Sequence, residues 1–156
     1  MTATGAAPLA GLRLVTHRPH EMATFWAALL DGHIQPLNSR QTAVVTSCGR
    51  ILIEHSAIAF DYHPETCGVT GITIAPPDEA SAAGSVNRLA HQGFHPHRAT
   101  DDGTSTALWY HDPNQVEIAL QLPSGRAAGL VAADLFAHEL DPAAVLDTLL
   151  THRRER

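Results

Sequence analysis

The sequence predicts an α+β protein: two tandem βαβββ modules followed by a C-terminal helical tail. Three observations lead there. Alternating apolar runs and amphipathic helices come in the same order twice, over residues 9–56 and again over 69–122, with little identity between the copies. The second copy ends in Thr104–Leu122, TSTALWYHDPNQVEIALQL, which alternates, turns at Asp112-Pro113-Asn114 and alternates again. Residues 134–152 then carry the pattern of a helical tail. The whole chain of 156 residues fits one domain, large enough to bury about 70% of its unfolded surface.

In the first module a strand over Leu9–Thr16 is stopped by Arg18-Pro19-His20. Glu21–Leu30 follows as a helix, because Met22, Phe25, Trp26 and Leu29 fall on one apolar stripe. Asp31-Gly32 ends it, and strands follow over His33–Leu37, Thr42–Ser47 and Ile51–His55. Residues 57–68 read as a linker. The second module repeats the order: a strand Val69–Ala75, a helix Glu79–Gln92 capped by Gly93, a strand Phe94–Ala99 and the closing hairpin. In the tail, Asp141-Pro142 is an N-cap with a first-turn proline, and Val145, Leu146, Leu149 and Leu150 form one face.

Composition removes several function classes. The formal charge is -6 and all ten cationic residues are Arg, with no basic stripe to displace counterions, so no nucleic-acid partner is expected. No run approaches 18 apolar residues and the start lacks a positive n-region, which predicts no membrane association and a cytoplasmic protein. Cys48 and Cys67 lie outside any metal-ligand or CxxC spacing and read as ordinary reduced thiols.

Glu117 is the first candidate for chemistry. A carboxylate inside an alternating apolar run faces the packed side of a sheet or a cavity, and buried without a partner it is costly. It therefore needs an ion pair, a metal or a substrate. Arg13 is one candidate partner, and that pairing would explain the carboxylate without catalysis. Strand alternation puts Gly11, Arg13, Val15 and His17 on one face, and Glu54 and His55 on opposite faces. His17 and His55, near strand ends, are proton carriers, substrate contacts or simply donors to backbone carbonyls. Trp109 and Tyr110 alternate, so one packs under a helix and the other faces the cavity. His111 reads as a turn residue, and His91, His95, His97, His138 and His152 as surface histidines.

The FWAALLDG helix end, the WYHDPNQVEI hairpin and the HELDPAAVLDTLL tail, in this order, resemble the vicinal oxygen chelate superfamily of glyoxalases, bleomycin-resistance-type proteins and extradiol dioxygenases. The hairpin and tail are closest to single-domain extradiol-dioxygenase-like members. The resemblance spans residues 9–150 and implies that each module curls its strands into half of a cup, a curved mixed sheet. Metal-dependent members hold their ion with a His on the first strand of each module and a Glu on the last strand of the second. The resemblance gives Glu117 that acid, but the two His positions fall on Gly11 and on Gly71 or its neighbour Thr70. Glu54 stands where glyoxalases place a further carboxylate, Asp102-Gly103 replaces the His-Gly of dioxygenases, and Trp109 or Tyr110 takes the place of their assisting aromatic.

These readings predict a small-molecule-binding protein or a metal-independent enzyme of lyase or isomerase type, acting on a small, aromatic, natural-product-like compound with no cofactor and no metal. Glu117 and His17 are the expected proton carriers. Arg13, Glu54, His55, Trp109 and Tyr110 are the expected substrate contacts, with Arg13 meeting an anion or carbonyl. Apolar walls come from Leu12, Leu14, Ile51, Ile53, Ile72 and Ile74 or their alternates. The alternative is an Fe(II)-dependent, or other divalent-metal-dependent, ring-cleaving dioxygenase or glyoxalase-like enzyme with relocated ligands His17, Glu54 and Glu117. The expected partners are a small organic molecule and a second copy of the chain.

Overall fold

A computed structural model describes residues 11–63, 68–103, 105–123 and 138–151. The chain divides into two compact units that meet between Ala59 and Phe60. Each carries one βαβββ module with its own sheet, so the two-module α+β architecture is present.

The first unit runs β1 (Gly11–Thr16), α1 (Pro19–Leu30), β2 (His33–Pro36), β3 (Gln41–Thr46) and β4 (Gly49–His55). Its sheet order is β1-β4-β3-β2, with β1 parallel to β4 and the other pairs antiparallel. Parallel neighbours need a crossover, and α1 begins it. The predicted stripe is what α1 buries: Met22, Phe25 and Trp26 are fully enclosed and Leu29 nearly so. The helix begins at Pro19 rather than Glu21, since a proline in the first turn forfeits only an N–H that has no helical partner there.

The second unit runs β5 (Gly71–Ile74), α2 (Glu79–His91), β6 (Arg98–Asp101), β7 (Thr106–His111), β8 (Glu117–Leu122), β9 (His138–Leu140) and α3 (Pro142–Thr151). Its sheet order is β5-β8-β7-β6-β9, and β5 is parallel to β8. Asp78 caps α2, its Oδ1 accepting from Ser81 N at 2.7 Å. At the other end Gly93, with φ +82°, closes a Schellman motif: Gly93 N donates to Ala90 O and Phe94 N to Leu89 O. That closure holds Phe94 against the helix end, and β6 therefore starts at Arg98, not at Phe94.

The tail holds one element that was not expected. His138–Leu140 is a strand that covers the free edge of β6, pairing Ala99 with Leu140 and Asp101 with His138. The helix begins after Asp141, the expected N-cap, whose Oδ1 accepts from Ala143 N at 3.0 Å. It packs on α2 and β6 through its buried Leu149. Residues 134–137, His152, Cys67 and Thr104 lie outside the described residues. Among the described residues no helix is long and apolar enough to cross a membrane.

Candidate functional site

Register sorts the second sheet into two faces. Ile72, Ile118 and Tyr110 stand in one row, and Ile74, Leu120, Leu108 and Ala99 in the next. α2 packs on β8, and its Glu79 borders the same concavity as Thr106 and Leu122, which continue this face, so this is the helix-covered side. The alternate positions make the other face. Its end row is Gly71, Glu117 and His111, and its middle row is Thr73, Ala119, Trp109 and Arg98.

The middle row is closed: Ala107, Trp109 and Ala119 form a buried cluster. Trp109 Nε1 donates to Thr100 Oγ1 at 2.8 Å, and the Arg98 guanidinium lies 4.5 Å from the centre of its ring. Arg98 is the cross-strand neighbour of Trp109, which is why cation and ring meet.

The end row is accessible, and the polar groups gather there. Glu117 Oε1 lies 3.5 Å from His97 Nε2 and 3.5 Å from Arg98 Nη2, with its side chain 34% exposed. The His97 and His111 rings stack at 4.0 Å and 12°. One ligand atom from each of His97, His111 and Glu117 lies within 4.8 Å of the others. Burial, and then the charge of His111, push the His97 imidazole below its ordinary value, while the Glu117 carboxylate pulls it back up.

The turn beneath is closed by hydrogen bonds to Asp112. Asp112 Oδ1 accepts from Asn114 N and Val116 N, both at 2.9 Å, and Gln115 adopts φ +69°. Burial raises the Asp112 carboxyl to about 6, against the pull of those two hydrogen bonds.

The predicted residues separate. Glu117 stands at the site, but half-exposed rather than buried, and its partners are His97 and Arg98. Arg13 instead pairs with Glu54, which is also held by Gln41, and that contact keeps the Glu54 carboxyl below the usual carboxylate range. Trp109 stands on the site face, although Arg98 covers its ring. Tyr110 is on the helix-covered face, its hydroxyl buried without a partner and its ionisation pushed up by burial. It therefore cannot meet a ligand on the Glu117 face.

His17 lies just past the end of β1, with a buried Nδ1 that has no partner. His55 is exposed at the end of β4. Both belong to the first unit, as does Glu54. His17 and Glu54 of the alternative metal set stand in the first unit and Glu117 in the second; within the second unit, donor atoms of His97, His111 and Glu117 cluster. Of the expected apolar walls, Ile72 and Ile74 stand on the Tyr110 face of the second sheet, and the alternates Thr73 and Ala119 stand on the Glu117 face.

His97 and His111 were missed because each looks like a surface or turn residue when read locally. The available signal was the hairpin register: a turn at Asp112–Gln115 puts His111 directly opposite Glu117. His97 precedes β6, so strand alternation does not constrain its direction.

The family's two imidazole positions differ in what they tolerate. A Cβ at Gly11 would collide with the Arg50 carbonyl oxygen, so no imidazole fits there without moving backbone. A Cβ at Gly71 would stand 3.3 Å from Glu117 O, a contact that a small shift relieves. The positions where the resemblance would place one imidazole on each first strand are Gly11 and Gly71, or its neighbour Thr70, in this chain.

The comparisons bear on the fold. No family model matches the chain, and no curated protein matches it by sequence. Among solved structures it is similar to a glyoxylase/bleomycin resistance protein/dioxygenase domain from Frankia sp., at 12% identity and TM-score 0.60, covering 78% of this chain and 96% of that one. It is also similar to a fosfomycin resistance protein from Mesorhizobium loti, at 12% identity and TM-score 0.56, covering 77% and 95%. A lactoylglutathione lyase from Agrobacterium tumefaciens aligns at 12% identity and TM-score 0.53, covering 75% and 94%. The chain has the fold of the vicinal oxygen chelate superfamily.

A second concavity of about 300 Å³ lies on the helix side of the same sheet, lined by Leu122, Leu140, Val145 and Leu149 with Thr106 and Glu79. It is mainly apolar and carries no imidazole.

Proposed function

We propose that the chain binds a small, partly apolar, aromatic compound of natural-product type at the Glu117 end of the second sheet, either as a binding protein or as a metal-independent enzyme. The observation that carries this reading is the adjacency of a cation and an acceptor. Arg98, its guanidinium 4.5 Å from the centre of the Trp109 ring, can meet a ligand carboxylate or carbonyl through its N–H groups, and Glu117, 3.5 Å away, can accept a proton from the same ligand. Arg98 thus takes the role that the sequence suggested for Arg13. The outer face of the guanidinium offers a plane for an aromatic ring. The names of the similar structures, fosfomycin resistance and lactoylglutathione lyase, support a small-molecule ligand of some kind.

The test is calorimetry and product analysis with monocyclic aromatic carboxylates in buffer containing chelator. Binding weakened at least tenfold by Arg98→Ala is expected, since a charge-assisted bidentate contact contributes more than about 1.4 kcal/mol. Turnover lost in Glu117→Gln at retained affinity identifies an enzyme. Retained affinity without turnover in either protein identifies a binder. Indifference of binding to Arg98 refutes the placement.

A further inference from the structure

We infer that His97, His111 and Glu117 form a binding site for one borderline first-row divalent cation, of the Zn²⁺, Fe²⁺ or Co²⁺ class, with both imidazoles drawn from the β6–β7 side of the second unit. This goes beyond the reading above, which needs no ion. It also differs from the ion site of the fold family, whose imidazole positions are Gly11 and Gly71 here.

Two features support it, and one distance must change. Two imidazoles and one carboxylate are the donor set that suits such ions and is poorly matched to Mg²⁺ or Ca²⁺. The three donors come from three anchored places: the Glu117 end of β8, the His111 end of β7 directly opposite it, and the residue preceding β6. A donor separation of up to 4.8 Å is wider than the roughly 3–3.5 Å between two donors bonded to one ion at about 2.1 Å. Closing that gap requires unstacking the His97 and His111 rings. Both residues are exposed, so their side chains turn without repacking the core.

Arg98 opposes the ion. Its Nη2, 3.5 Å from Glu117 Oε1, puts a positive charge at the edge of the site and lowers the affinity expected of three donors. An ion held by three protein donors keeps open coordination positions for ligand oxygen or water. Coordination draws charge from the Glu117 carboxylate and weakens it as a proton acceptor, while its second oxygen stays free for a hydrogen bond.

The experiment uses the full chain after chelator treatment and dialysis, titrated with Co²⁺ and followed by calorimetry and by visible absorption. One saturable site per chain is expected, with d–d bands that report nitrogen and oxygen ligands. His97→Gln, His111→Gln and Glu117→Gln should each weaken binding at least tenfold, while His91→Gln, on α2 and outside the cluster, leaves it unchanged. Circular dichroism checks that each variant is folded, and the double variant His97→Gln/His111→Gln should abolish the d–d bands. Absence of saturable Co²⁺ binding overturns the inference, as does binding that survives the double variant or is lost on replacing His17. Aromatic-carboxylate binding in chelator is measured separately, so a failed ion site leaves the small-molecule reading standing, and the reverse also holds.

Discussion

Gly71 stands directly opposite Glu117 in the parallel β5–β8 ladder, and His111 flanks the same residue from β7. Glu117, which the resemblance matches to the acid of metal-dependent relatives, thus stands between a glycine on one side and an imidazole on the other. Gly11 and Gly71 are not equivalent, and this can be measured. Gly11→Ala should cost about 1–3 kcal/mol, as overpacking against a backbone carbonyl does, whereas Gly71→Ala should cost less than about 1 kcal/mol. Chemical denaturation of both variants checks this, and equal costs would contradict the steric assignment.

Gly71→His extends the same argument. A third imidazole beside Glu117 should raise Co²⁺ affinity about tenfold or more over the unsubstituted chain. Gly11→His should instead yield poorly folded protein. An unchanged affinity in folded Gly71→His would show that this ladder position does not face the cluster.

Asp112 makes stability depend on pH. Its folded-state value of about 6 exceeds the ordinary 3.8 because burial disfavours the carboxylate. Folding therefore favours the protonated form, and the contribution is fully present below about pH 4 and lost as pH rises through 6. The loss is on the order of 2–3 kcal/mol. Asp112→Asn keeps an oxygen to accept from Asn114 N and Val116 N but cannot ionise. Thermal melts from pH 4 to 7 should show a declining contribution in the unsubstituted protein that is missing in the variant. An identical slope in both would contradict the burial.

The Arg13–Glu54 contact lies on the surface, with Arg13 63% exposed, so it should be screened. A double-mutant cycle with Arg13→Ala and Glu54→Ala should show a small coupling at low salt that vanishes at high salt. A coupling that survives high salt would give the pair a structural weight that its exposure denies it.

Much of this architecture was legible from local pattern. The α1 stripe, the Asp141 cap, the Gly93 terminator and the order of strands all rest on contacts within a few residues, and each reads directly from spacing. What failed to read was non-local. Strand β9 exists because β6 has an edge to cover, and three residues, HEL, carry no alternation to announce it. His97 and His111 meet only after β6, β7 and β8 are in register. Arg13 and Arg98 look alike as isolated cations in apolar surroundings; only the fold shows that the first is engaged by Glu54 and the second lies on Trp109 beside Glu117.

The most direct test of the central claim is an amide and indole shift titration of ¹⁵N-labelled protein with benzoate in chelator-containing buffer. Saturable shifts at His97, Arg98, His111, Glu117, Gly71 and the Trp109 indole are predicted. Shifts gathered instead around Arg13 and Glu54, or around Leu140 and Leu149 beneath α3, would contradict it, and so would a spectrum that does not move.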